Sequence, residues 1–306
     1  MTSAMTASPD RHTTRNGRIA MLGAAVAWST AGLGQHALHA TPATQVVGRA
    51  LFAFVTLLLV VALTERSGII ASLRSLGRDG AVLAFFLAIS SGTFLFALNY
   101  TSVANVLFLQ AASPMLAALL GWVVLSERIS RRTWLAMGVA AVGVTVMVAG
   151  EVNAGTMAVV LPIAMTASFA IVIVIARYRR DVSMLPATCA SQALIVIVFA
   201  PFVSFGSATA SDWRIFAALG VFQMGFGLTL LTVAARLLPP AEVALLSLLE
   251  VVLGPLWVWL AYSEQPSTAT LVGGVVVTAA VAVQATASEE PALLPERVAV
   301  PAPDSG

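Results

Sequence analysis

A few ionisable side chains lie inside long apolar stretches, and they are the residues whose types could do chemistry. They are Arg49, Glu242, Glu250 and, near the end of a stretch, His36. A charge at the middle of a membrane helix costs roughly 2.5–3.5 kcal/mol on insertion scales, so each needs a physical reason. Glu250 lies about nine residues into its stretch, which at ~1.5 Å per residue places it near the middle of a bilayer.

Two interpretations of Glu250 remain open. Its carboxylate could line a cavity and bind an amine or a proton, or it could be capped by polar groups and hold helices together. For Arg49 we favour a structural interpretation, in which the side chain snorkels outward or satisfies backbone carbonyls in a peripheral helix. The alternative is that Arg49 holds an anionic group or pairs with Glu250.

Two further patterns favour structural roles. Glu127 and Glu264 lie beside loops, where capping and interfacial solvation are the expected functions of a carboxylate. His36 and His39 have the spacing of two histidines on one helix face, but nothing nearby completes the three or four ligands that a metal site recruits. We therefore expect an interfacial histidine pair and no metal.

The composition predicts that these residues lie in a membrane protein. Hydrophobic residues make up 59% of the 306 residues, charged residues only 10%, and mean hydropathy is +0.93, far more apolar than the soluble average. Continuously apolar runs of ~20 residues predict helices that span a membrane, since a barrel would alternate polar and apolar positions. Ten spans fit: 19–38, 42–63, 81–98, 102–125, 133–150, 156–176, 184–204, 214–235, 241–262 and 268–287.

The segments between and beyond these spans are short. We predict a cytoplasmic N-terminal tail over residues 1–18 and a disordered, cytoplasmic tail rich in Pro, Glu and Ala over 288–306. The single cysteine, Cys189, lies in an apolar run and is expected to be a small buried hydrophobe.

Arginine distribution predicts the orientation. The chain has no Lys, and placing the N-terminus inside puts 14 of its 16 Arg residues on the cytoplasmic side. Arg214 alone falls outside, and Arg49 lies within span 2. Because Lys and Arg near span ends stay cytoplasmic, both termini are predicted to lie inside, at the cytoplasmic membrane.

An internal repeat relates the two halves. A shift of 137 residues aligns span 4 with span 9, so that Trp122 meets Trp259 and Ser126-Glu127 meets Ser263-Glu264. The same shift brings Ala27-Trp28-Ser29 onto Ala164-Met165-Thr166. Five spans per repeat is an odd number, so the second copy enters the membrane from the opposite side. Inverted repeats of this kind are typical of secondary transporters.

These motifs resemble the drug/metabolite transporter superfamily of EamA type over about residues 17–287. The carrying segments are Leu98 to Asn105, Pro114, Leu125 to Arg128, and Leu249-Glu250 through Pro255-Leu256-Trp257 to Ser263-Glu264. The resemblance implies ten helices in two repeats, 19–150 and 156–287, around a cavity formed mainly by spans 1, 3, 4, 6, 8 and 9. This sequence has Ser126, Ser263 and Val251 where the family commonly has Gly, Gly and Pro.

Neutral polar residues occur in those six spans. Together with Glu250 we predict that the substrate-binding residues are Trp28, Ser29, Ser91, Asn105, Gln110, Thr166, Gln223 and Ser247. Such a cavity is mildly polar and sparsely charged, which argues against inorganic ions or multiply charged phosphates. Small residues in span 5 (Ala136, Gly138, Ala140, Gly143) and span 10 (Gly273, Gly274, Ala280) predict close helix contacts, within one chain or in a homodimer.

The sequence therefore predicts a secondary transporter that moves small organic metabolites, such as amino acids, out of the cell by alternating access. The partners expected are the small-molecule substrate and the lipid bilayer, with no nucleic acid and no cofactor. A drug or multidrug exporter of the same fold is the alternative. An enzyme or a channel is disfavoured, because the chain has no His-Glu-x-x-His or Gly-x-Ser-x-Gly motif and its loops are too short for a re-entrant filter.

Overall fold

The computed structural model describes residues 11–64, 74, 77–125, 129–151, 154–178 and 184–287. Helices occupy every predicted span, and the described residues contain no strand. By span, the helices are Arg11–Ser29 and Ala31–His36 (1), Pro42–Thr64 (2), Gly77–Ala97 (3), Val103–Ala111 and Ser113–Leu125 (4), Arg131–Glu151 (5), Thr156–Tyr178 (6), Met184–Phe199 (7), Ala210–Ala218, the π-helix Leu219–Phe226 and Gly227–Leu237 (8), Pro240–Tyr262 (9) and Thr268–Ala287 (10). The predictions for Glu127 and the tail 288–306 concern residues outside these ranges.

Nine helices in the described part of the chain are long and apolar enough to cross a membrane. Span 1 is the segment that falls short. Its first helix begins at Arg11 and includes Arg15 and Arg18, and a break at Thr30 separates it from the short helix Ala31–His36. By length and composition, nine helices of the described residues are therefore candidate spans, and a tenth crossing by span 1 remains a prediction.

The two halves pack in equivalent ways. Three pairs of corresponding spans lie against each other, namely span 2 with 7, span 4 with 9 and span 5 with 10. Contacts between different spans also come in pairs, since span 3 packs on span 6 as span 8 packs on span 1, and span 4 packs on span 6 as span 9 packs on span 1. This correspondence is what an approximate two-fold axis between the repeats requires.

All five connections that follow odd-numbered spans meet at one end of the bundle, which we call the His36 end. Glu264 contacts His36 and the backbone of Val103, and Glu151 accepts hydrogen bonds from Thr101 (2.9 Å) and Thr270 (3.3 Å). Asp212 accepts a hydrogen bond of 2.9 Å from the backbone of His39. Successive helices therefore alternate in direction, so the corresponding helices of the two five-span repeats run in opposite directions.

The closest backbone approach between the repeats lies where span 5 packs on span 10. A Cβ added to Gly143 would lie 2.7 Å from the carbonyl oxygen of Gly273, and one added to Gly273 would lie 2.4 Å from that of Gly143. Gly274 leaves room for the Phe108 ring, since a Cβ added to it would lie 2.2 Å from the ring atom Cδ2. Gly138 differs, because nothing lies within 4 Å of its added Cβ. Gly143, Gly273 and Gly274 therefore serve contacts within the chain, and a homodimer face remains a prediction.

This geometry predicts the effect of adding a methyl group. Gly273→Ala should lower the free energy of unfolding by about 1–3 kcal/mol, because backbone atoms cannot yield as a flexible side chain can. Gly138→Ala is the matched control and should not lower it. Unfolding of the purified protein in mixed micelles, followed by tryptophan fluorescence, measures both. Equal stability of the two variants would contradict the close contact.

Candidate functional site

Three of the spans expected to form the cavity have an irregular backbone. Span 1 breaks at Thr30, where the hydroxyls of Ser29 and Thr30 bond to the carbonyls of Val26 (2.8 Å) and Ala27 (2.7 Å). Span 4 breaks at Ala112, two residues before Pro114, and span 8 contains the π-helix Leu219–Phe226. Irregular backbone is tolerated at membrane depth only in protein or along a cavity, and broken helices and π-helical turns often mark binding sites.

Span 8 is held against the break in span 1 by Gln223 and Gly227. The Gln223 side chain is 4% exposed, and its Nε2 donates to the backbone carbonyl of Trp28 at 3.3 Å. The Trp28 indole packs so closely on Gly227 that an added Cβ would lie 2.6 Å from Nε1. The Gln223 Oε1 is buried and has no hydrogen-bond partner, an arrangement that costs free energy unless something else supplies a donor.

Span 9 meets the same break through Trp257. Its indole Nε1 donates to the fully buried Ser29 hydroxyl at 3.0 Å. Gly254, three residues earlier, packs so that an added Cβ would lie 3.7 Å from the Ser29 carbonyl oxygen and 2.2 Å from Leu107 of span 4. Residues three and four apart share a helix face, so Glu250 and Ser247 continue the face that is directed towards spans 1 and 4.

Glu250 lies on this interior face without a direct partner. Its carboxylate makes no hydrogen bond and no ion pair within 4.0 Å among the described residues, whereas the nearby Ser247 hydroxyl bonds to the Ala244 carbonyl at 2.7 Å. The charge that acts on Glu250 is the guanidinium of Arg49, with which it interacts electrostatically. A capped structural glutamate is therefore not what the geometry shows.

Arg49 corrects the interpretation favoured from the sequence. The residue is 5% exposed, and its guanidinium carbon lies 5.9 Å from the centre of the Phe94 ring. In the described part of the chain it neither snorkels outward nor bonds to a backbone carbonyl, and it makes no ion pair with Glu250 within 4.0 Å. The sequence signal was the charge itself, but an apolar helix gives no pattern that shows which face is buried.

The other predicted site residues are distributed unevenly. Asn105 is buried, but its Nδ2 donates to Thr101 at 3.0 Å, within the network at the His36 end. The Thr166 hydroxyl bonds to the Pro162 carbonyl at 2.7 Å. Ser91 and Gln110 are partly buried and make no side-chain hydrogen bond in the described part of the chain. The structure thus brings Trp28, Ser29 and Gln223 together, whereas Asn105 bonds to Thr101 and keeps a buried Oδ1 without a hydrogen-bond partner among the described residues.

Thr166 lies instead on an apolar cavity of about 250 Å³ between spans 4, 5 and 6. Its lining residues are Leu109, Ala112, Met115, Leu116, Leu119, Met137, Ala140, Ala141, Val144, Ile163 and Thr166. No charged side chain contributes, and the Thr166 hydroxyl already bonds to its own helix. This cavity therefore lacks the groups that would orient a polar solute.

Two clusters tie span 1 to the two ends of span 9. At the His36 end, Glu264 Oε2 lies 2.7 Å from His36 Nε2, and Glu264 Oε1 accepts from the backbone N–H of Val103 at 3.0 Å. The Tyr262 ring lies beside His36, with ring centroids 5.2 Å apart. At the other end, which we call the Arg18 end, Arg18 pairs with Glu242. Glu264 thus has the capping role that was expected of it.

The two histidines contact different carboxylates. His36 contacts Glu264, whereas His39 Nδ1 lies 3.8 Å from Asp212. Among the residues that the structure describes, no group of three or more His, Cys, Asp or Glu could hold a metal ion. The shared helix face seen in the sequence is interrupted, since the short helix ends at His36.

These helices and their inverted packing define a multi-pass α-helical membrane protein. The chain belongs to the EamA-like transporter family, whose model matches it twice, over residues 15–149 and 156–286. It is therefore a transporter of the drug/metabolite transporter superfamily.

Comparison with other proteins adds support for the fold. Among curated proteins no sequence matches the chain. One solved structure, titled only as the crystal structure of a protein, superimposes with a TM-score of 0.62 at 18% identity, covering 90% of this chain and 99% of that one. At this identity the likeness shows the fold alone.

Proposed function

We propose that this transporter moves small organic metabolites, such as amino acids or related solutes, out of the cell across the cytoplasmic membrane by alternating access. The observation that carries the proposal is Glu250, a carboxylate on the interior face of span 9 that has no direct partner among the described residues. It lies on the same face as Gly254 and Trp257, which contact the break in span 1. A binding site near irregular helices between inverted repeats is the arrangement that secondary transporters use.

The proposed site consists of Glu250, Ser247, Ser29, Trp28 and Gln223. Trp257 joins these predicted residues because it bonds directly to Ser29. Ser91 and Gln110 are proposed as additional lining residues. Of the other two predicted residues, Thr166 is bonded within span 6, whereas Asn105 keeps a buried Oδ1 with no partner in the described part of the chain and stays a candidate.

The proposed orientation places both termini in the cytoplasm and the His36 end outside. The five connections at the His36 end contain no Arg. The Arg nearest to that end in span 8 is Arg214, which lies in the first turns of the span. Arg15, Arg18, Arg78, Arg131 and Arg177, by contrast, lie at helix ends that point the other way. In this arrangement the repeats comprise residues 19–150 and 156–287, flanked by the tails 1–18 and 288–306.

Counterflow in proteoliposomes tests the proposal. Vesicles are loaded with one unlabelled solute, and uptake of the same labelled solute is measured for a panel of amino acids, amines, organic acids and drugs. A carrier should show saturable uptake that the internal solute accelerates, whereas a channel should show neither property. Uptake no greater than that of protein-free liposomes across the whole panel would overturn the proposal.

A further inference from the structure

The Arg49 guanidinium is a buried cation whose donors are unused. Arginine carries five N–H donors, and the described residues around Arg49 accept none of them. Gln45, one helical turn earlier, does not help, because its amide is occupied by Gln35 and by the Ala40 carbonyl at 2.8 Å. A buried charge without a partner is costly, so a group that binds it would gain much of that free energy.

Phe94 leaves Arg49 ready to bind a planar anion. The guanidinium carbon lies 5.9 Å from the centre of the Phe94 ring, a cation–π contact that uses one face of the guanidinium. The N–H groups point outward in the guanidinium plane, and this fork matches the two oxygens of a carboxylate. Phe94 is itself 9% exposed and buried in the main core, which holds the ring in place.

Glu250 supplies the opposite charge. It interacts electrostatically with Arg49, yet no N···O contact of 4.0 Å or less joins the two in the described structure. Some polar side-chain atoms, such as Gln223 Oε1, are completely buried and have no hydrogen-bond partner. No atom of Arg49 or Glu250 belongs to that group. The two charged groups are therefore near enough to interact electrostatically, are not in direct contact, and have polar atoms that the protein does not fully enclose.

We propose that Arg49 binds the carboxylate of a zwitterionic solute while Glu250 binds its ammonium group. This assignment rests on the proposed transport function and adds the two chemical groups that the solute must carry. A zwitterion satisfies the buried Arg49 and the partly buried Glu250 at once and brings no net charge into the membrane. A solute with only one of the groups leaves the other buried charge without a partner.

The test uses three series of probes with purified protein. Alanine, leucine and phenylalanine are each compared with the corresponding amide, which lacks the carboxylate, and with the corresponding des-amino acid, which lacks the ammonium group. Inhibition of counterflow and the rise in unfolding temperature on binding are measured for each probe. We expect the wild type to prefer at least one amino acid over both of its analogues by at least about tenfold, as expected for losing one charged hydrogen-bonding partner.

Two single variants separate the roles. Arg49→Gln should no longer prefer the amino acid over its amide but should still prefer it over the des-amino acid. Glu250→Gln should no longer prefer the amino acid over the des-amino acid but should still prefer it over the amide. Arg49→Lys should restore part of the carboxylate preference, because it keeps the charge and loses the fork. Arg214→Gln, at an exposed Arg of span 8, is the matched control and should change neither preference.

The outcomes are distinct from those of the transport test. If other solutes are transported but no amino acid is preferred over its analogues, the zwitterion assignment is wrong and the transport function stands. An equal loss for all probes in Arg49→Gln would show a purely structural arginine and would also overturn the assignment. If nothing is transported or bound, both proposals fail.

Discussion

The double variant Arg49→Gln/Glu250→Gln is expected to fold at least as stably as the wild type while its transport falls to the level of protein-free liposomes. Arg49 is 5% exposed and Glu250 is partly buried, and replacing both with neutral groups removes the cost of keeping the two charges away from water. Transport needs those same charges to recognise the solute. Stability and transport should therefore move in opposite directions.

The single variants provide the internal control for this prediction. Glu250→Gln leaves the buried Arg49 without the charge that balances it, and Arg49→Gln leaves Glu250 without its balancing charge. Each single variant should therefore unfold more easily than the double variant, and each should transport less than the wild type but more than the double variant. Unfolding in mixed micelles and counterflow on the same preparations measure the two quantities. A double variant that is less stable than either single variant would show that the charges serve the fold.

Helix positions were the most predictable feature. Span 9, predicted over 241–262, is the helix Pro240–Tyr262, and span 10 occupies 268–287 as predicted. The reason is physical, because a bilayer requires a minimum apolar length and the loops carry Pro, Gly and charge. Span 1 is the least well predicted, since hydroxyl groups that bond to preceding carbonyls compete with the regular helix at Ser29 and Thr30.

Side-chain orientation was much less predictable. A soluble helix shows its buried face through an apolar stripe, but a membrane helix is apolar on all sides, so neither the interior position of Arg49 nor the Ser29–Trp257 hydrogen bond is visible in the sequence. The π-helix that positions Gln223 likewise follows from packing against span 2, where Gly220 lies against the Phe52 and Ala53 backbone. The polarity of the side chains predicted which residues are candidates for the site, and only the fold shows which of these side chains contact one another.

The two ties between span 1 and span 9 bear on how the transporter opens. With the proposed orientation, His36 and Glu264 close the outer end and Arg18 and Glu242 close the inner end. Alternating access requires one end to separate while the other stays closed, so weakening one tie should favour opening at that end. The ties are unequal, since the His36 and Glu264 side chains are 27% and 21% exposed whereas Arg18 is 58% exposed.

Removing the stronger tie should open the outer end. Glu264→Gln weakens both the contact with His36 and the bond from Val103 N–H, a loss of about 1 kcal/mol, which changes an equilibrium about fivefold. A cysteine introduced at Ser247 reports access, because the natural Cys189 is 1% exposed and should remain unlabelled. Its labelling by a membrane-impermeant thiol reagent added outside should quicken by that factor.

Glu242→Gln is the matched variant at the opposite end, with the same substitution on the same span. The exposed Arg18–Glu242 pair contributes little, because solvent screens it, so outside labelling of Cys at position 247 should be unchanged or slightly slower. The direction of the change in labelling rate depends on the end at which each contact lies. The change should be larger for Glu264→Gln, because that contact is more buried. Faster outside labelling in both variants would mean that these contacts hold the bundle together generally and do not select which end opens.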